Sequence, residues 1–199
     1  MIIQLLSFFI TIFLLLGSAL GTTSWAAATP TNTNDNSPIE ITATDTMEWD
    51  RQNKTYIARG KAMAVQGDMM IEADQLTAYY TDTPTEGTKI SKLIATGSVK
   101  ITKGTMIGTS ENATYDLNSK NAEMNGNVIL TTSKEKATAT KARYDLSNNI
   151  VQLFDNVVIM QGANIVKGAR AEFDLNTNIS RVFGNEAGDS RVKAVFTPQ

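Results

Sequence analysis

Four aspartates recur in the chain, each directly after an aromatic residue: Asp50, Asp116, Asp145 and Asp174. Two carboxylates on either side of a glycosidic bond could act as the acid and the base of glycoside hydrolysis. The residues that follow each aspartate, however, are rich in asparagine, serine and lysine, which is typical of hairpin turns. The same positions lack the glycine and the distal glutamate of a calcium-binding loop. The pattern therefore favours a turn role over an active site.

The residues that most enzyme chemistry requires are missing. No histidine and no cysteine occur among the 199 residues, so the usual general base, the commonest zinc ligands and disulfides are excluded. The formal net charge is −2, and lysines and arginines are scattered singly, which gives nucleic acid no basic surface to bind. We therefore predict one non-enzymatic domain that binds no metal and no nucleic acid.

The first 28 residues have the features of a secretory signal peptide. They contain no charged residue, and an apolar run over 2–16 is followed by small residues ending in Ala26-Ala27-Ala28, which fit an A-x-A cleavage site. Because no Lys or Arg lies near Met1, an uncleaved membrane anchor is the alternative. A helix that spans a membrane needs about 20 apolar residues. We predict that residues 29–38 form a disordered mature N-terminus and that residues 39–198 form the folded domain.

From residue 39 onward one short motif occurs five times. Four copies consist of a small or apolar residue, a polar residue, an aromatic residue and aspartate, and the weaker copy Leu76-Thr77-Ala78-Tyr79 has alanine in third place. The third position falls at 49, 78, 115, 144 and 173. The spacings are 29, 37, 29 and 29, and the long one corresponds to an insertion of eight loop-forming residues around Pro84. Eleven residues after the motif, Gly60, Gly126 and Asp155-Asn156 indicate a turn.

Within each unit apolar residues alternate with polar ones, which is the period of a β-strand. Tyr115 and Leu117 share one predicted face, whereas Thr114 belongs to the other. We predict two or three short antiparallel strands per unit, each of about 5 to 7 residues, and no helix beyond the leader. Such units build an elongated solenoid or jelly roll, whose terminal strands, Ile39–Thr44 and Arg191–Thr197, could pair with another protein.

Three segments in fixed order resemble the start of the OstA-like family of lipopolysaccharide-transport proteins: Pro38–Ala43, Gly60–Asp68 and Ile71–Leu76. Arg191–Pro198 resembles the last strand of that family, so the resemblance extends over 38–198. It implies an all-β fold, an elongated, twisted antiparallel β jelly roll that is V-shaped and has an open groove. It also implies no catalytic residue and no cofactor.

The resemblance implies a ligand and partners as well. The ligand would be lipopolysaccharide in the periplasm, with its acyl chains between the two sheets. An inner-membrane anchored relative would bind the N-terminal edge at Ile39 and Ile41, and an outer-membrane lipopolysaccharide translocon would bind the C-terminal edge at Val192 and Val195. Copies would associate head to tail. A membrane-anchored relative of the same pathway and a structural β-solenoid without a lipid ligand are the alternatives.

The predicted lipid-binding groove is lined by the inward side chains of the repeated motif. Each methylene kept from water contributes about 0.8 kcal/mol, so a carrier of acyl chains needs a continuous apolar lining. Any one of these side chains could serve as core packing alone, and the prediction therefore rests on the series. The predicted lining residues are Met47, Trp49, Tyr115, Leu117, Tyr144, Leu146, Phe173 and Leu175. Methionines 63, 69, 70, 106, 124 and 160 would add adaptable surface.

Overall fold

The computed structural model describes residues 37–85, 87–185 and 191–197, which form twelve antiparallel β-strands. The sheet is not closed, since the first and last strands in its order do not pair. The predicted signal peptide (1–28) and residues 29–36 of the predicted disordered segment lie outside the described residues. The strands are β1 (Glu40–Thr42), β2 (Thr46–Asp50), β3 (Thr55–Gln66), β4 (Met69–Thr83), β5 (Gly87–Lys103), β6 (Met106–Asp116), β7 (Asn121–Thr131), β8 (Lys136–Asp145), β9 (Ile150–Gln161), β10 (Asn164–Asp174), β11 (Ile179–Phe183) and β12 (Lys193–Val195).

The fold class is the predicted one, an all-β twisted antiparallel jelly roll. From β3 to β10 each strand pairs with both of its neighbours in the chain. A solenoid would instead pair each strand with its counterpart in the next coil, so the described strands do not form the predicted solenoid alternative. Among the described residues no helix is long and apolar enough to span a membrane.

Each repeat is one hairpin of two long strands. Strands β3 to β10 contain between 10 and 17 residues. The even-numbered strands of successive units begin about one repeat apart, at Met106 in β6, Lys136 in β8 and Asn164 in β10. Two strands per unit agree with the prediction, but the predicted length of 5 to 7 residues was wrong, because the strands continue through the positions at which glycine or Asp-Asn indicated a turn.

Those positions are β-bulges near the middle of the odd-numbered long strands. Two consecutive residues have positive φ, +80° and +42° at Gly60-Lys61 and +82° and +47° at Gly126-Asn127, and two residues oppose one across the ladder. In β9 the pair is Asp155-Asn156, with φ of +62° and +55°. Asp and Asn tolerate this region better than other non-glycine residues, which explains why they replace glycine in this unit.

The aligned bulges divide the sheet into two leaves that face each other. Leaf A comprises β2, β11 and the halves of β3–β10 joined by the turns at 51–54, 117–120, 146–149 and 175–178 and by the β4–β5 hairpin. Leaf B comprises β1, β12 and the other halves, joined by the turns at 67–68, 104–105, 132–135 and 162–163. Buried side chains of both leaves form one hydrophobic cluster, and the Tyr115 hydroxyl of leaf A donates a hydrogen bond to Gln66 Oε1 of leaf B at 3.2 Å.

In five of the eight long strands of leaf A, side-chain size increases from the bend toward the turns, as from Ala113 to Tyr115 and from Ala171 to Phe173. The buried row next to the bend is rich in alanine: Ala58, Leu76, Ala95, Ala113, Met124, Ala142, Leu153 and Ala171 in leaf A, and Ala62, Ala73, Val99, Ser110, Val128, Ala139 and Val157 in leaf B. Aromatic residues occupy the next row of leaf A. The leaves are joined at the bend, and we call the opposite side, where the turns lie, the mouth.

Each edge of the sheet consists of two short strands, one per leaf. β1 pairs with the leaf B half of β3 and β2 with its leaf A half, and β12 and β11 pair with β10 in the same manner. The predicted terminal strands, Ile39–Thr44 and Arg191–Thr197, are shorter in the structure and belong to leaf B alone.

The eight-residue insertion is also more regular than predicted. It lengthens the hairpin of β4 and β5, in which Thr81 lies opposite Lys89 and Thr83 lies opposite Gly87. The loop predicted around Pro84 is reduced to the tip of this hairpin.

Candidate functional site

The four recurrent aspartates cap the leaf A turns. Asp145 Oδ1 accepts the backbone N–H groups of Ser147 and Asn148 at 3.0 and 3.1 Å, and Asp50, Asp116 and Asp174 accept equivalent bonds. The side-chain and backbone hydrogen bonds from Asn148 lower the pKa of Asp145. A glycosidase acid needs a raised pKa, so the geometry supports the turn role. In the described ranges no three acidic side chains lie close enough together to hold a metal ion.

Acid should weaken these caps. Because the hydrogen bonds lower the folded-state pKa of Asp145 and Asp174 below 3.8, their contribution to stability is complete above that value and is lost as the pH falls through the lower folded pKa. We expect the double variant Asp145→Asn/Asp174→Asn to unfold at a lower temperature than the wild type at pH 7, and the difference to shrink toward pH 2. Thermal unfolding followed by circular dichroism at both pH values measures this; a difference independent of pH would contradict it.

The aromatic residues of the repeated motif form one cross-strand row in leaf A. Each member lies directly opposite the next in the ladder, so all point to the same face. We call this the aromatic row: Trp49, Tyr56, Ala78, Leu93, Tyr115, Ala122, Tyr144, Val151 and Phe173. It brings together the four aromatic members of the predicted groove. Large and small side chains alternate along much of it.

The predicted groove residues differ in burial according to their place in the sheet. Tyr115 and Phe173 are buried, with 6% and 8% of their surface exposed. Tyr144, Leu117 and Leu146 are partly buried and pack against the core. The middle of the predicted lining is therefore an interior surface between the leaves.

Met47 and Trp49 are about half exposed because β2 is an edge strand. The Trp49 ring stacks on Tyr56 with 5.5 Å between ring centroids, and its Nε1 donates a hydrogen bond to the Tyr80 hydroxyl at 2.8 Å. The Arg51 guanidinium lies 4.1 Å from the Trp49 ring centroid. This aromatic cluster closes the N-terminal end of leaf A.

The alternation predicted that Leu117, Leu146 and Leu175 continue their strands. In the structure each of these leucines is instead the first residue of a turn. The Leu146 N–H donates to the Lys120 carbonyl and the Leu175 N–H to the Asn149 carbonyl, both at 3.0 Å, so successive turns are hydrogen-bonded to one another. Leu175, in the last of these turns, is 39% exposed. The leucines thus extend the apolar face of leaf A to the mouth.

Leaf B supplies the opposite wall, which sequence reasoning missed. Ile101, Leu130 and Ile159 occupy equivalent positions in successive units and are buried. A signal existed, since the pairs Val99/Ile101, Val128/Leu130 and Val157/Ile159 recur every 29 residues. Of the methionines predicted to add adaptable surface, those at 69, 106 and 124 line the space between the leaves, whereas those at 63, 70 and 160 lie on the outer face of leaf B.

Two small apolar cavities lie between the leaves. The first, of about 30 Å³, is lined by Met69, Ile101, Lys103, Met106, Tyr144 and others. The second, also of about 30 Å³, is lined by Met106, Leu130, Glu135, Phe173 and Leu175 among others. Met106 and Leu130 line both, so the cavities are adjacent along the groove. Each has room for only one or two water-sized groups, and an acyl chain could lie there only if the leaves moved apart.

The predicted partner residues lie at opposite edges of leaf B. Ile39 and Ile41 are partly buried and pack against the core, while Val192 and Val195 are 43% and 47% exposed beside Phe196, which is 71% exposed. Their contact with partners stays a prediction.

A family model described as "LptA/(LptD N-terminal domain) LPS transport protein" matches residues 40–136 and 130–179. Among solved structures the chain is similar to LptH, "the LptA homologous periplasmic component of the conserved lipopolysaccharide transport device from Pseudomonas aeruginosa". That match has 17% sequence identity, covers 84% of this chain and 100% of the other, and has a TM-score of 0.36. No curated protein matches the sequence.

Proposed function

The chain belongs to the family of LptA and the LptD N-terminal domain, which are lipopolysaccharide transport proteins, and we propose that it carries lipopolysaccharide across the periplasm with the acyl chains between leaves A and B. The observation that carries this proposal is the aromatic row, in which side chains of nine successive strands present one continuous apolar face.

The continuity of the row suits a carrier that must also release its ligand. Transfer of acyl chains into water costs about 0.8 kcal/mol per methylene, so free diffusion between membranes is blocked. One deep pocket would recover that energy at one place and would hold the lipid there. A row of similar contacts lets the chains advance from one unit to the next with little change in buried area.

Entry of the lipid requires the leaves to separate at the mouth. In the closed arrangement the Tyr115–Gln66 hydrogen bond joins them, and the two cavities between the leaves are too small for an acyl chain. The walls around those cavities consist of side chains with few polar atoms and include Met69, Met106 and Met124. Methionine is unbranched and adapts its shape to its neighbours, so these walls can pack with or without lipid.

We propose that the two edges bind different partners, which would give the transport route a direction. We place the inner-membrane anchored relative at β1 and β2 and the outer-membrane translocon at β11 and β12, with copies joined head to tail. Each edge strand has one side without a partner in the described sheet, and strand addition there would satisfy its backbone groups. Because both edges contain one strand per leaf, an end-to-end junction would continue both walls of the groove.

Photo-crosslinking in cells tests this function. A photoreactive phenylalanine at Tyr115, which faces leaf B, should crosslink to lipopolysaccharide, and the matched replacement at Thr114, its neighbour on the outer face, should not. In the same experiment Ile41 and Val195 should crosslink to proteins, the first to the inner-membrane relative and the second to the translocon or to another copy. Lipid crosslinks from Thr114 but none from Tyr115 would contradict the proposal.

A further inference from the structure

The two sides of the mouth differ in polarity. Leaf A ends in the aromatic row and the turn leucines. In leaf B the outermost inward-facing position of β3 to β6 is occupied by Gln66, Met69, Lys103 and Met106, which lie opposite one another in the ladder. One lysine therefore points toward the groove from an otherwise largely apolar stretch of wall.

Lys103 combines an apolar and a charged contact. Its stem lines the first cavity, and its Nζ lies 2.8 Å from Asp68 Oδ1 in the adjacent turn, with 23% of the side chain exposed. Lys100, on the outer face of the same strand, forms a similar pair with Glu72 at 2.7 Å but is 42% exposed. The ammonium of Lys103 is thus held at the boundary between the cavity and the solvent.

That boundary is where the head of an amphiphile must lie if its chains enter the cavity. We propose that Lys103 binds a phosphate group of the transported lipid at the mouth of the first cavity, releasing Asp68 as it does so. The inference rests on the proposed function and deepens it, because it assigns the headgroup to one side of the groove. A lysine ammonium is a compact point charge that binds phosphate without fixing its orientation.

The exchange is well matched to transport. Asp68 lies in a turn and is 40% exposed, so water can solvate its carboxylate when Lys103 turns to the phosphate. Replacement of one anion by another leaves a small net gain, and the lipid is not trapped. Glu135, which lines the second cavity, has the opposite charge to Lys103, so the phosphate contact belongs to the first cavity.

Equilibrium binding tests the proposal with Lys103→Met, which keeps the apolar stem, and Lys100→Met as the matched control. The probes are purified lipopolysaccharide, the same lipid after removal of its phosphates, and inorganic phosphate alone, each measured by displacement of a fluorescent acyl probe at low salt. We expect Lys103→Met to bind the phosphorylated lipid roughly fivefold more weakly and the dephosphorylated lipid as the wild type does. Lys100→Met should bind both as the wild type does, and inorganic phosphate should displace nothing.

Two further variants separate charge from packing. Lys103→Arg should retain the preference for the phosphorylated lipid, and Asp68→Asn should increase it, because the ammonium no longer has a competing partner. An equal loss for both lipids in Lys103→Met would overturn the proposal, since only the stem would then matter, and so would no loss at all. If the wild type binds neither lipid, the proposed function itself fails, a result distinct from binding without phosphate preference.

Discussion

A covalent link between leaf A and leaf B across the mouth strongly weakens lipid binding. We expect this for the variant Gln66→Cys/Tyr115→Cys after reaction with a short bismaleimide that contains a cleavable disulfide. The wild-type side chains at these positions are 3.2 Å apart between Tyr115 Oη and Gln66 Oε1, so a short linker can span them. The neighbouring cavities of about 30 Å³ cannot admit an acyl chain unless the leaves separate. The chain contains no native cysteine, which makes the link specific.

The measurement is displacement of a fluorescent acyl probe by lipopolysaccharide before linking, after linking and after reduction of the linker. Binding should fall by at least about tenfold on linking, equivalent to about 1.4 kcal/mol, and should recover on reduction. The control is Glu72→Cys/Lys100→Cys, linked within the outer face of leaf B, where the native side chains form a 2.7 Å ion pair. Undiminished binding by the protein linked across the mouth would show that the groove does not open there.

Replacement of the bulge glycine Gly126 by alanine destabilises the fold by about 2 to 3 kcal/mol. The φ of +82° costs an L-residue about 1 to 2 kcal/mol. A Cβ at this position would also lie about 2.5 Å from the Glu111 carboxylate, which accepts a 2.6 Å hydrogen bond from Asn127 Nδ2. Displacement of that carboxylate would lose roughly a further 1 kcal/mol.

Gly104 is the matched control because it isolates the backbone effect. Its φ is +56° and no atom lies within 4 Å of the position of an added Cβ, so Gly104→Ala should cost only about 1 kcal/mol. Urea denaturation gives the free energy of unfolding for each variant. The addition of Glu111→Ala to Gly126→Ala should recover part of the loss. Equal destabilisation by Gly104→Ala and Gly126→Ala would contradict the role of the carboxylate at the bend.

The alternation of apolar residues was sufficient to predict the all-β class and the inward face, but not the length of the strands. A glycine in an alternating sequence has the same local signature whether the chain reverses or bends. A bend is distinguished from a turn by the phase of the apolar alternation before and after it, which can be read from the sequence. Leu153 and Val157 keep the same alternation on either side of Asp155-Asn156, as a continuing strand requires.

The candidate site was predicted in part because aromatic residues mark one wall only. Leaf B presents aliphatic side chains such as Ile101 and Leu130, which in a sequence are indistinguishable from ordinary core. Lys103 was missed for another reason: a lone lysine usually indicates a solvated face, and only its position opposite Met69 and Met106 in the ladder places it at the mouth. Periodicity does not specify which residues of two strands pair, so it could not place Lys103 opposite Met69.

The 29-residue hairpin also determines how such a chain can change in size. Each hairpin adds two strands to both walls and lengthens the passage by about 10 Å at the usual strand spacing of roughly 4.8 Å. The pairs Ala113/Tyr115, Ala142/Tyr144 and Ala171/Phe173 recur every 29 residues with the alanine next to the bend, so the cross-section of the groove stays similar from one hairpin to the next. Duplication or deletion of a hairpin would therefore change the length of the groove in fixed steps and leave its width unchanged.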